Sequence, residues 1–335
     1  MQITTTPRVW SKLQHAAQWG RLVDGEHIGL CRESLTDYDR EVRDWFVAEA
    51  KALGCEVKID QMGNIFAILA GENQSPPPIG MGSHLDSQPA GGRFDGSLGV
   101  VTALQVLRTV KESGIKTHAP LAAINWTNEE GSRFPTMCSG SGIWCGAQSL
   151  EATHALADLA DPKATMYTEL KRIGYLGNTP CSSAENPLSA YFELHIEQGT
   201  RLEKAQKKVA AVTGVQGMRW YEIRCKGTEA HAGASPVKER ADALVALAKF
   251  IVKVEELSRE EDAFGTAGVL ATRTSRPNTV PGSAFCTLDL RYDSKDAVET
   301  SLQTHLQQLE KDRPGITVNM ARTWKKKGVK FDALA

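Results

Sequence analysis

The chain has 335 residues, 39 Lys and Arg against 40 Asp and Glu, and 41% hydrophobic residues, proportions of a globular protein with room for two domains of roughly 150 residues. A net charge of −1 argues against nucleic acid or an anionic membrane as the main partner. No run approaches a membrane span or a secretory segment, and seven scattered cysteines without a Cys-x-x-Cys pair imply reduced thiols in a cytoplasmic protein.

In chain order, the first forty residues read as helical cover. Ile28 to Leu35 forms a connection, and Asp37 is the expected cap of a helix through Val42, Phe46 and Ala50. Short apolar segments with strand character follow at Glu56 to Ile59, Ile65 to Ala70, Pro78 to Ser83, Ala119 to Trp126 and Ala190 to His195. Helical stretches separate them, notably Gly99 to Ser113. This alternation implies an α/β domain with a central sheet flanked by helices. The pattern changes near Val212. A strand at Trp220 to Lys226, a helix at Ala241 to Leu257, strands at Ala267 to Thr272 and Ala284 to Tyr292, and a helix at Ala297 to Leu309 suggest a separate α+β unit. The expected division is 1–211 for the first domain, 212–320 for the second, and 321–335 beginning a return to the first.

Three of these strands end in metal-binding residue types. The first delivers His84 and Asp86, the second Glu129 and Glu130, the third His195. Ligands gather beyond the carboxyl ends of strands in open α/β sheets, so groups distant in sequence can converge there. Singly, each signal is as well explained by a structural histidine or a solvated carboxylate; together they suggest a metal site. His84 and Asp86 lie two residues apart on an extended segment and point the same way, so Asp86 is expected to accept the second ring N–H of a metal-bound His84. Asp95, flanked by glycines in Gly91-Gly92-Arg93-Phe94-Asp95-Gly96, is able to turn inward and bridge two metals. Of the adjacent Glu129 and Glu130, one would ligate and the other act as general base.

The segments Gly82-Ser83-His84-Leu85-Asp86-Ser87-Gln88-Pro89, Gly92-Arg93-Phe94-Asp95-Gly96, Asn128-Glu129-Glu130-Gly131-Ser132-Arg133-Phe134 and Leu194-His195-Ile196-Glu197-Gln198-Gly199 resemble the aminoacylase/carboxypeptidase-like dinuclear metallohydrolases. Within them the chain is similar to the amidase branch: N-carbamoyl-L-amino acid hydrolase, β-ureidopropionase and allantoate amidohydrolase. The resemblance implies His84, Asp95, Glu130 and His195 as ligands of two divalent ions, zinc or manganese with cobalt or nickel as alternatives. It makes Asp95 the bridge and Glu129 the base. It implies a homodimer through the second domain, a lid in which His231 of Thr228-Glu229-Ala230-His231-Ala232-Gly233-Ala234-Ser235-Pro236 reaches the partner's site and steadies an oxyanion. Gln198, Asn278 and Arg291 match substrate-binding positions, and the planar fork of Arg291 suits a substrate carboxylate; a surface salt bridge is its plainer reading.

Ser87-Gln88-Pro89 and the run His195 to Gly199 favour the amidases over the peptidases. Gly217-Met218-Arg219-Trp220 and Gly92-Arg93-Phe94 lean toward carbamoyl-amino-acid substrates, leaving allantoate, acyl-amino acids and dipeptides as alternatives. The family carries a further histidine in a Ser-Gly-Ala-Gly-His-type segment that this sequence lacks. The expectation is therefore of a C-terminally truncated member, with an inactive fragment that only dimerises as the alternative of another class.

Overall fold

The computed structural model describes residues 6–24, 27–273, 276–292 and 297–331. It divides into two units, Met1–Lys207 and Lys208–Ala335.

The first unit opens with α1 (Thr6–Ala16) and a hairpin of β1 (Arg21–Asp24) and β2 (His27–Leu30). The hairpin replaces part of the expected helical cover, because four-residue strands are too short to leave a periodic signal. In α2 (Asp37–Ala52) the N-cap is Thr36 rather than Asp37. Its hydroxyl accepts from Asp39 N at 3.3 Å and donates to Glu33 O at 2.8 Å, while Asp37 places its charge at the positive end of the helix dipole. Replacing Thr36 by alanine is expected to lower the stability of this unit by about 1 kcal/mol, read as a shift in its urea midpoint.

The central sheet has the order β3 (Glu56–Ile59), β4 (Ile65–Leu69), β6 (Leu121–Trp126), β5 (Ile79–His84) and β7 (Ala190–Phe192). Strands β3, β4 and β6 pair antiparallel, whereas β5 runs parallel to both β6 and β7. The carboxyl ends of β5, β6 and β7 therefore share one edge. Helix α2 packs on β3 and β4, and α3 (Ser97–Ser113) packs on β5 and β6. Val42, Phe46, Ala50, Ile65, Ala67, Val100, Leu107 and Ala123 fill the core between them. Short helices α4 (Ser139–Trp144), α5 (Leu150–His154), α6 (Met166–Arg172) and α7 (Arg201–Lys204) complete the unit. One buried ion pair stands in this core. Arg43 meets Asp39 at 2.8 Å and spends its other donors on Gly63 O and Thr127 Oγ1, the partnering a buried charge requires.

The second unit is an antiparallel sheet under two helices. Strands β11 (Phe264–Thr266), β14 (Ser283–Tyr292), β9 (Gly217–Lys226) and β15 (Thr317–Lys326) follow in that order, and β12 (Leu270–Thr272) also pairs with β14. Alternate residues of β9 and β14, among them Tyr221, Ile223, Leu288 and Leu290, face α8 (Ala243–Glu260) and α9 (Ala297–Asp312) in one core. The strands β8 (Gly214–Val215) with β16 (Val329–Lys330), and β10 (Ala230–His231) with β13 (Thr279–Val280), form two smaller pairs. Residues 321–326, expected to begin a return to the first domain, continue β15 instead, paired to β9 across a bulge near Thr323; 332–335 lie outside the described residues. Among the described residues no helix is long and apolar enough to cross a membrane, and no disulfide links the cysteines.

Candidate metal centre

Each strand of the parallel set hands a functional group to the shared edge. His84 is the last residue of β5 and is buried. Its Nδ1 lies 2.9 Å from the backbone carbonyl of Asp86. A carbonyl only accepts, so Nδ1 carries the hydrogen and Nε2 keeps its lone pair. His195, beyond β7, repeats the device through Nδ1 and the carbonyl of Ile196 at 2.9 Å. Both imidazoles thus offer Nε2. Asp95 joins them, its Oδ1 3.1 Å from Nε2 of His195 and 3.9 Å from Nε2 of His84. One ligand atom from each of His84, Asp95 and His195 falls within 4.8 Å of the others, a donor set that fits a divalent cation.

The electrostatics agree with a site built for positive charge. The hydrogen bond to Asp95 lifts His195 to about 9, and the same bond holds Asp95 below the usual carboxylate range. Burial pulls His84 down, but the carboxylates of Asp86 and Glu129 outweigh it and leave a net rise. A metal entering here displaces protons.

Glu129 and Glu130 follow β6 through a turn in which Asn128 adopts φ +53° and Gly131 φ +64°. The buried Asn128 side chain donates to Phe134 O, Thr136 O and Ser139 Oγ, which offsets the strain of a left-handed non-glycine residue. The turn aims both carboxylates back at the strand ends. Oε2 of Glu129 lies 3.5 Å from Nε2 of His84, and Oε1 accepts from the Cys138 thiol at 3.4 Å. Glu130 Oε2 accepts from Gln88 Nε2 at 2.9 Å. Its Oε1 is buried with no hydrogen-bond partner, a vacant acceptor of the kind a cation would satisfy, and burial raises this carboxyl.

Asp86 departs from expectation. Its carboxylate stands 3.8 Å from His84 Nδ1 and accepts instead from the backbone N–H groups of Glu129 at 3.3 Å and Glu130 at 3.2 Å. Those donors sit at a partly buried turn and need acceptors, so Asp86 joins the β5 and β6 ends while its carbonyl, not its carboxylate, orients the imidazole. Burial lifts this carboxyl to about 6. Gly96 closes the constellation. At φ +62°, a Cβ placed there would sit 2.5 Å from three atoms of the His84 ring, whereas Gly92 in the same loop has open space around it.

Of the expected substrate-binding residues, Gln198 lies against Asp95, donating from Nε2 to Oδ2 at 2.7 Å. Asn278, Arg291 and His231 belong to the second unit. Asn278 is exposed, and its backbone carbonyl accepts from Ala232 N. Arg291 forks onto Asp289 Oδ2 at 3.0 and 2.8 Å, its i, i+2 neighbour on the same strand face. His231 is exposed, with Nδ1 accepting from Gly233 N at 3.1 Å. Sequence reasoning did not single out Glu193, which accepts from Ser83 Oγ and from Tyr191 OH and which no motif spacing marks.

Comparison with known proteins places the chain among hydrolases. The profile of peptidase family M20/M25/M40 matches residues 80–305. The N-carbamoyl-L-amino-acid amidohydrolase of Rhizobium meliloti is 38% identical over 287 residues, covering 85% of this chain and 67% of that protein. The allantoate amidohydrolase of Bacillus subtilis is 30% identical over 289 residues, covering 86% of this chain and 69% of that protein. Among solved structures, an amidase of the hydantoinase/carbamoylase family from Burkholderia vietnamiensis superposes with a TM-score of 0.84 at 38% identity, over 98% of this chain and 79% of its own.

Proposed function

This chain belongs to peptidase family M20/M25/M40, and from that premise we propose that it is a metal-dependent amidohydrolase that removes the carbamoyl group of N-carbamoyl amino acids. The observation that carries the reading is the meeting of His84, Asp95 and His195 beside the paired carboxylates of Glu129 and Glu130. The names of the relatives supply the substrate class.

In this reading His84, Asp95, Glu130 and His195 would hold two divalent ions, the first, second and fourth of them already gathered in one cluster. Imidazole and carboxylate donors without thiolate suit zinc or manganese, with cobalt and nickel as alternatives. Such ions, when bound, polarise a carbonyl and make water a nucleophile at neutral pH. The other steps fall to side chains. Glu129 accepts a proton from the attacking water as oxygen bonds to the ureido carbon. It returns that proton to the amino-acid nitrogen as the carbon–nitrogen bond breaks. The carbamic acid released decomposes to carbon dioxide and ammonia, so each turnover consumes one water. The partner subunit's His231 donates to the developing oxyanion, which requires a homodimer formed through the second unit. Gln198, Asn278 and Arg291 bind the rest of the substrate.

Arg291 must exchange its Asp289 partner for the substrate carboxylate in this scheme. Replacing it by alanine is expected to raise KM roughly 10- to 100-fold, the range for losing a charge-assisted hydrogen bond, with kcat nearly unchanged. An equal loss on a carbamoyl amine lacking the carboxylate argues against the clamp. Allantoate is the second reading, favoured by the Bacillus subtilis relative. Release of a free primary amine by metal-loaded protein, compared across N-carbamoyl-L-amino acids, allantoate, N-acyl amino acids and dipeptides, with ammonia followed in parallel on the first two, tests the assignment. A kcat/KM highest on acyl-amino acids or dipeptides overturns it.

A further inference from the structure

We infer that Arg32 is a positioning residue for the metal centre, tying the turn of His84 to Ser87 to the first turn of α3 behind Asp95. The inference rests on the metal-centre reading above. Arg32 lies just beyond β2 and is fully buried. Its Nε donates to Leu85 O at 2.7 Å, the residue between His84 and Asp86. Its Nη2 donates to Ser97 Oγ at 3.1 Å, two residues past Asp95. Its Nη1 donates to Ala16 O at 2.7 Å and Trp19 O at 3.0 Å, anchoring the side chain to the end of α1. The backbone repeats the link: Arg32 N donates to Ser87 Oγ and Ser87 N to Arg32 O, both at 2.9 Å. Two residues earlier, Leu30 and Gly91 exchange a pair of backbone bonds at 2.9 Å.

A buried guanidinium is a costly way to fill space, and apolar side chains of similar volume often do so with no loss of stability. All the groups that accept from this one are neutral; Asp39 and Asp86 act on it only through space. Burial lowers its pKa to about 10, so it remains charged at neutral pH. What an arginine adds over an apolar residue is direction, since its rigid fork fixes several acceptors at set angles. Here those acceptors include the carbonyl of Leu85, next to the ligand His84, and the Ser97 hydroxyl at the helix start just past the ligand Asp95. Asp86 O, which orients His84, lies on the clamped turn.

The test uses the full 335-residue protein and four variants: Arg32→Met, Arg32→Lys, Ser97→Ala and, as a cavity control in the same unit, Leu170→Ala. Zinc affinity is measured by competition with a chelating dye, and amide hydrogen exchange over residues 84–97 is measured on metal-free protein. Arg32→Met is expected to weaken zinc about 10- to 100-fold, as loss of a supporting partner does, and to speed exchange over 84–97 with no metal present. Ser97→Ala should shift both in the same direction by less, and Arg32→Lys should recover part of the loss. Leu170→Ala should lower Tm and leave both readouts unchanged. Unchanged affinity and exchange in Arg32→Met, or in Ser97→Ala if Arg32→Met does not fold, overturns the inference, as do equal losses in the Leu170→Ala control. A wild-type chain that binds no zinc sinks the metal-centre reading instead, and the exchange comparison then decides the tie alone.

Discussion

Glutamine in place of Glu129 is expected to lower kcat by about 100- to 10,000-fold, the contribution of a positioned general base, while metal content and Tm stay at the wild-type level. The substitution preserves size and both hydrogen-bonding positions but removes the capacity to take a proton. The charge acts on His84, 3.5 Å away, but it does not hold the turn in place. Oε1 accepts only a thiol at 3.4 Å, and the turn around it is held by Asn128 and by the backbone contacts of Asp86. Single-turnover kinetics with matched metal loading make the comparison. Residual activity within tenfold of wild type removes Glu129 from the role of base and leaves Glu130 to be examined, since its Oε1 is buried with no hydrogen-bond partner.

Alanine in place of His195 is expected to cost more than about 100-fold in affinity for the tighter ion, beyond the usual range for losing an outer partner, and to abolish turnover at micromolar metal. Only His84 and Asp95 remain of the cluster once its imidazole is gone. The His195 side chain is 31% exposed, so the metal-free protein should keep its Tm within a degree or two of wild type, as surface substitutions usually do. Metal analysis after dialysis against a weak chelator reads the first effect, and calorimetry the second. Metal content and affinity equal to wild type would show that His195 is not a ligand.

The parts of the site legible in the sequence were those tied to strand ends. His84, Glu129, Glu130 and His195 each follow a short apolar run, and parallel β5, β6 and β7 bring those runs to one edge. The second unit was legible for a related reason: β9 and β14 alternate strictly, and α8 carries a long apolar face. Finer geometry was hidden because it depends on which backbone group needs a partner. Spacing placed Asp86 on the same side as His84, but two partly buried N–H groups at Glu129 and Glu130 claimed its oxygens. Arg32 left no signal at all, since it stands in a connection and acts through two backbone carbonyls and a serine hydroxyl supplied by three separate segments. The hairpin before it was too short to show a period.

The contrast between Gly96 and Gly92 has a practical side for anyone reshaping this enzyme. A mutagenesis library that randomises the loop from Gly91 to Gly96 would lose every member altered at 96, because any side chain there collides with the His84 ring. Position 92 lies four residues away with nothing within 4 Å of an added Cβ. Diversity can be introduced there without meeting a neighbouring atom, which makes 92 the tolerant position of the loop and 96 the position to hold fixed.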